Sequence, residues 1–550
     1  MTTIYRNGQI LTGSDGSAWA VAEAFAVQEG RFCAVGSVAD VLQTTHGAGD
    51  LVEVDLAGNT VIPGIVDSHS HLRMFGESLE HLDLSGCRTL DAIQSAVKAL
   101  TEAEPTRARI IGKSWLFSAV SGRPTAAMLD AASPRIPVYL FANDFHSAWL
   151  NSAALAEIGI NAATQDPVGG KIERDAEGNA SGMLLESAFL ELCLGSLERF
   201  KDTEANAESL RVAFAAYAAS GVTAAMDMSL DETDLSALEL LLAQGNGTLP
   251  LRVRGYWLIP AAEDHAVHAR QVQRAAELAA TSGSPWFSVV GVKFIVDGVI
   301  DACTAAMIEP FANGARPDAI WSAEYLTPAV TLADKAGLSI ALHTIGDEAS
   351  EIALNSLESA IQSNGELPRR HRLEHLETVT PENIQRLVRL GVVASMQPAH
   401  SDPAIQENWR KMLGDDRIHR GYPLAEIQAG GAKLALSTDA PTAAHLPFDN
   451  LYTAITRKSP GHPKLAANLP EMAISAEQAL AYVTYGGAYS CGEEDSFGSI
   501  KAGQYADFVV LDRNPLTVSP TELLQSTVLV TVVGGETSFR AASQLDARKA

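Results

Sequence analysis

The stretch Val61-Ile62-Pro63-Gly64-Ile65-Val66-Asp67-Ser68-His69-Ser70-His71 decides the fold. An apolar run of strand character, Val61–Asp67, leads directly into two histidines. His69 and His71 are two positions apart, so on an extended backbone both side chains leave the same face. Two imidazoles on one face at a strand end suit a metal ion. Such a pair is a weak signal alone, and its meaning depends on the rest of the chain.

Seven further runs of strand length follow: Val222–Asp227, Leu251–Ile259, Val289–Val296, Leu338–His343, His371–His375, Val392–Gln397 and Lys433–Ser437. Helical spacing lies between them, as in Leu210, Phe214, Tyr217 and Ala218. Thr380-Pro381-Glu382 reads as a helix start, with proline at the first helical position. Strands alternating with crossover helices predict an α/β fold, a (β/α)8 TIM barrel. The gap between the first two runs is too long for one helix, so an inserted subdomain is expected at about residues 75–205.

The two ends share a different style. Arg6-Asn7-Gly8 reads as a hairpin turn between Thr3-Ile4-Tyr5 and Gln9-Ile10-Leu11. Glu29-Gly30 reads as a second turn, and short apolar runs return at Asp507–Leu511 and Thr527–Val533. Neither end holds enough strands for a stable sheet. One small β-sandwich domain is therefore expected from residues 1–62 and 485–550, with the barrel at 63–484.

Composition narrows the function. Among 550 residues, Lys and Arg number 40 and Asp and Glu 66, giving a net charge of −26. Such a chain is a poor partner for nucleic acid or an anionic membrane. Cys33, Cys87, Cys193, Cys303 and Cys491 form no CxxC pair, so free thiols in a reducing compartment are expected. The N-terminus lacks a basic segment followed by an apolar run, and no apolar stretch is long enough to span a bilayer. A cytoplasmic protein acting on a small molecule is the expectation.

Later runs also end in ligand types: His343, His375 and, after the eighth, Asp439. Barrel active sites sit at the C-terminal ends of the strands, so these residues converge with His69 and His71. Lys293 lies inside the apolar run Val289–Val296. A buried ammonium is costly, and its pKa falls. A depressed amine reacts with CO2 to give a carbamate, whose two oxygens can bridge two cations. The plainer alternative is a lysine whose stem packs along the strand while its head reaches water.

His69, His71, Lys293, His343, His375 and Asp439, in that order, resemble the metal-ligand set of the amidohydrolase superfamily. The phrases Gly112-Lys-Ser-Trp115, Asp144-Phe-His146-Ser-Ala-Trp149, Gly169-Gly-Lys-Ile-Glu-Arg174, Lys293-Phe-Ile-Val-Asp297-Gly, His343-Thr-Ile-Gly346-Asp347 and Leu373-Glu-His375 are similar to its amidohydrolase-3, YtcJ-like branch. The resemblance implies one or two divalent metal ions, with zinc expected. His69, His71 and Asp439 would hold the more buried ion, His343 and His375 the second, and Lys293, as N6-carboxylysine, would bridge them. Asp439 would act as general base and then acid. The implied reaction is hydrolysis of a non-peptide C–N amide bond, with N-substituted formamides as leading substrates. Alternatives are a cyclic amide, an imine-type ring or an ester cleaved by the same site, and a non-catalytic metal- or ligand-binding regulatory protein. Many superfamily members are dimers or larger, and a homodimer is a candidate state.

The substrate is less legible. The phrases at 299–306 and 438–441 depart from those common among relatives, which leaves the substrate open. Trp115, Phe117, His146 and Trp149 are candidates for a lid of the inserted subdomain, with core packing the other reading of the aromatics. His146, in a polar turn, is the stronger candidate for a catalytic or oxyanion contact. Asp297 and Cys303 are further candidate substrate contacts, with a packed apolar role the alternative for Cys303. His400 is a candidate for the rim.

Overall fold

A computed structural model of the chain describes residues 1–13, 19–47 and 49–542. Eight parallel strands follow one another around a barrel: β1 (Ile65–Ser70), β2 (Val222–Leu230), β3 (Arg252–Leu258), β4 (Phe287–Ile295), β5 (Ser339–Thr344), β6 (Arg372–His375), β7 (Val393–Met396) and β8 (Leu434–Leu436). Strands β1, β6, β7 and β8 are buried along their whole length, as expected of parallel strands covered by crossover helices. The seam between β8 and β1 closes just beyond the strand ends. There the Asp439 N–H donates to the His69 carbonyl and the His71 N–H to the Ala440 carbonyl, both at 2.9 Å. Three of the residues expected to bind metal, His69, His71 and Asp439, therefore also complete the barrel.

Two boundaries differ from the sequence reading. The run from Val61 divides at Pro63-Gly64: Thr60–Pro63 joins the terminal sheet, and only Ile65–Ser70 enters the barrel. Gly64 is required at the division, because a Cβ there would lie 2.0 Å from Thr223 Oγ1. The eighth strand ends at Leu436, so Asp439 sits in the following loop, with a left-handed φ of 59°.

The helix over Pro381–Leu390 starts as read: Thr380 caps it by accepting from the Asn383 N–H, and Gly391 ends it at φ 67°. Among the described residues, no helix is long and apolar enough to cross a membrane.

Strands from both chain ends share one eight-stranded sheet. Thr60–Pro63 is its joint, pairing antiparallel with Phe508–Leu511 and parallel with Thr2–Gly13. Tyr5, Phe25, Phe32 and Phe508 form an aromatic cluster on it. Glu29-Gly30 turns as expected, but Asn7-Gly8 does not. Thr2–Gly13 is a single strand against Ala20–Gln28, with a register shift between Arg6 and Ile10. Gly8 lies where a Cβ would be 2.7 Å from the Asn59 carbonyl, so close backbone approach, not chain reversal, explains this glycine.

Between β1 and β2 lies a separate six-stranded sheet, in the order Gly170–Arg174, Ala180–Glu186, Ser147–Leu150, Val138–Ala142, Ile110–Trp115, Leu82–Asp83.

One ion pair ties the terminal sheet to the barrel. Arg252, at the start of β3, grips Asp507 bidentately at 2.6 and 2.9 Å. Both side chains are buried, and Arg252 also donates to the Pro285 carbonyl at 2.8 Å. Removing one partner strands the other charge in the interior. Asp507→Ala is expected to lower unfolding free energy by about 3–5 kcal/mol in denaturant titrations. A loss under about 1 kcal/mol would show the pair to be dispensable.

Candidate metal centre

The C-terminal end of the barrel gathers the ligand types. Ring centroids lie 4.9 Å apart for His69 and His375, 4.5 Å for His343 and His375, and 5.6 Å for His69 and His71. Asp439 stands among them. Its Oδ1 is 3.4 Å from His69 Nε2 and 3.3 Å from His71 Nε2, and its Oδ2 is 3.5 Å from His400 Nε2. Lys293 Nζ reaches within 3.4 Å of His69 Nε2. Among the described residues, two groups have ligand atoms mutually within 4.8 Å: His69, His375 and Asp439, and His375, Glu377 and His400.

Each imidazole is held by its Nδ1. His69 Nδ1 meets Glu374 at 2.6 Å, His71 meets Ser229 Oγ at 2.8 Å, and His343 meets Asp297 at 3.1 Å. His375 meets Gln397 Oε1 at 2.8 Å, His400 meets Glu377 at 3.0 Å, and His146 meets Glu186 at 2.5 Å. In a neutral ring an acceptor at Nδ1 makes that nitrogen the N–H and leaves the Nε2 lone pair free. Metal-binding histidines are oriented in this way.

The rings divide by charge. Burial, then Lys293, lowers His69 to about 4. Burial and neighbouring imidazoles also drive His343 and His375 well below the usual histidine range. These three rings are neutral near pH 7. Burial opposes charge on His146, but Glu186 outweighs it and raises the ring to about 9. His400 is raised too, against burial, by Glu377. Burial also opposes ionisation of Asp439, but His69 and His71 hold it below the usual carboxylate range. Lys293 is lowered to about 8 by burial, against the pull of Glu374 and Asp439. Arg372 opposes the burial penalty on Glu374, and their side chains meet at 2.5 Å.

A cavity opens onto this centre. His146, His343, His375, His400 and Asp439 line it, together with Asp144, Asp301, Glu377, Ile405 and Trp409. Several candidate contacts lie elsewhere. Trp115 and Trp149 are fully buried, edge to face at 5.4 Å, with indole N–H groups donated to the Leu140 and Thr125 carbonyls. Phe117 packs on Trp115 at 4.7 Å. Trp115 and Trp149 belong to the core of the inserted subdomain because their strands need an apolar face, and Phe117 packs against that core. Asp297 is fully buried and accepts from the Ala306, Ile345 and Gly346 N–H groups, so it positions His343 and two loops instead of substrate. Cys303 packs beside Met412, off the cavity wall.

Sequence reasoning missed the anchors Ser229, Glu374, Glu377 and Gln397, and the partner Glu186. Only Glu374 and Glu377 carried a signal, flanking His375 in the chain.

Over residues 52–539 the chain matches the amidohydrolase family. It is 31% identical over 541 residues to the protein LONG AFTER FAR-RED 3 of Arabidopsis thaliana, covering 96% of this chain and 90% of that one. It is 28% identical over 529 residues to the N-substituted formamide deformylase of Arthrobacter pascens, covering 94% of each. Among solved structures, an uncharacterized metal-dependent hydrolase from Pyrococcus furiosus superposes with a TM-score of 0.72 at 25% identity, covering 94% of this chain and all of that one.

The His146–Glu186 pair gives a pH signature. A raised histidine pKa adds stability that is complete below the unfolded value of about 6.5 and is lost as pH rises through the folded value. That upper limit is about 9 here. Glu186→Gln is therefore expected to destabilise the protein at about pH 6 and to approach the parent at about pH 10, read by denaturant titration at each pH. An equal gap at both would show that the pair's charge adds nothing.

Proposed function

The chain belongs to the amidohydrolase family, and on that premise we propose that it hydrolyses a non-peptide C–N bond in a small amide, with N-substituted formamides the leading class. The single observation that carries the reading is the shared Nδ1 anchoring of the clustered imidazoles, which serves a ligand at Nε2.

The donors fit a divalent cation. Asp439 Oδ1 is a buried polar atom without a hydrogen-bond partner, which is costly unless something else occupies it. Histidine with carboxylate suits zinc among the common ions. In this reading His69, His71 and Asp439 would hold one ion, and His343 and His375 a second. Lys293, as a carbamate formed when its neutral amine adds CO2 and releases one proton, would supply further oxygen donors to the ions. Its lowered pKa enlarges the neutral fraction that can react. A divalent ion held there supplies Lewis acidity toward a water and toward the substrate carbonyl.

The chain's own groups do the rest. Asp439, ionised and central, accepts the proton of the attacking water and passes it to the departing nitrogen. His146, kept protonated by Glu186, donates a hydrogen bond to the carbonyl oxygen as charge develops on it. Amide and water are consumed; a carboxylic acid (formate, from a formamide) and an amine are produced.

With metal in excess, Asp439→Asn is expected to lower kcat/KM on N-alkylformamides by about 10²–10⁴-fold. Unchanged turnover would remove Asp439 from proton transfer. Lys293→Ala is expected to lose activity and to regain part of it with added short carboxylic acids. Loss without such rescue would contradict the carbamate.

A further inference from the structure

Part of the cavity wall is not used by this chemistry. Asp144 lines the cavity and is 7% exposed. Its Oδ1 accepts from the His146 backbone N–H at 2.9 Å, while its Oδ2 is buried without any hydrogen-bond partner. Asp301 lines the same cavity, close enough to repel the Asp144 carboxylate. Its two oxygens take neutral donors, Asn408 Nδ2 at 2.8 Å and Trp409 Nε1 at 3.1 Å.

Neither carboxylate has a cation of its own. No lysine or arginine lines the cavity among the described residues. The imidazoles nearest in charge, His146 and His400, are already paired with Glu186 and Glu377. A carboxylate withdrawn from water without a counter-charge is costly, and the cost is recovered when a cation arrives. Ile300, Ile405 and Trp409 line the same space and offer apolar surface to an alkyl stem.

We propose that Asp144, with Asp301 beside it, forms a specificity subsite for a cationic nitrogen, an ammonium or guanidinium, carried on the substituent of the amide. The proposal rests on the hydrolase reading only in treating that cation as part of the substrate.

The test is calorimetric binding to the metal-loaded full chain. The probes are n-butylguanidinium and its neutral isostere n-butylurea, with wild type, Asp144→Asn and Asp301→Asn compared. Asparagine keeps the oxygen that accepts from the His146 N–H, so the turn retains its hydrogen bond. Wild type is expected to bind the cation at least about tenfold tighter than the isostere. That ratio is expected to collapse toward one in Asp144→Asn and to narrow in Asp301→Asn. Equal binding of the two probes by wild type, or an undiminished ratio in Asp144→Asn, would overturn the proposal. Should Asp144→Asn fail to fold, Asp301→Asn carries the test, and an unchanged ratio there counts against the subsite. Turnover of N-alkylformamides is followed in parallel. Cation preference without turnover keeps the subsite and removes the hydrolase reading; turnover without preference does the reverse.

Discussion

The outward hydrogen bond from each imidazole is the constraint on which the centre depends. A free histidine ring can present either nitrogen and either face. Here Glu374, Ser229, Asp297, Gln397 and Glu377 each engage one Nδ1, fixing the ring and directing Nε2 away from the anchor. The anchors are themselves held. Arg372, fully buried, binds Glu374 and reaches the Ser68 carbonyl and Ser395 Oγ, so one guanidinium links β1, β6 and β7. Gln397 donates to Ser437 Oγ at 2.9 Å, and Asp297 accepts three backbone N–H groups. Behind the imidazoles the upper layer of the barrel is thus a hydrogen-bonded polar network and not an apolar plug, which gives its shape precision at a cost in intrinsic stability.

Local backbone conformation adds to that cost. His375 at φ 74°, Asp439 at 59° and Glu186 at 52° all occupy the left-handed region. Such positions cost of order 1–3 kcal/mol each and persist only when their surroundings determine them. Asp439 is determined by the seam, where its N–H binds the His69 carbonyl. The same bond that closes the barrel therefore places the central carboxylate between two imidazoles. The Arg252–Asp507 pair fixes the terminal sheet to the first turn of β3, at the opposite end of the strands from the centre.

The barrel and the gathering of His and Asp at its strand ends were legible because both follow from local pattern: apolar runs of strand length, several of them leading into His or Asp. The division at Pro63-Gly64 and the bulge at Asn7-Gly8 were not, since each is set by a distant neighbour, Thr223 in one case and Asn59 in the other. The anchors were hidden for the same reason: His69 and Glu374 are 305 positions apart. Trp115 and Trp149 misled because large aromatics serve a pocket and a core equally well by composition. Their place was decided by the third sheet, whose strand Val138–Ala142 is buried throughout and demands an apolar cover.

Metal content measures the central claim most directly: that the Nδ1-anchored imidazoles and Asp439 form a site for divalent cations. Elemental analysis of protein purified without chelators is expected to find at least one transition-metal ion per chain. A double His69→Ala, His375→Ala variant, folded by circular dichroism, is expected to hold none. A folded wild-type chain that contains no such metal, and takes up neither zinc nor manganese when offered, would contradict the account.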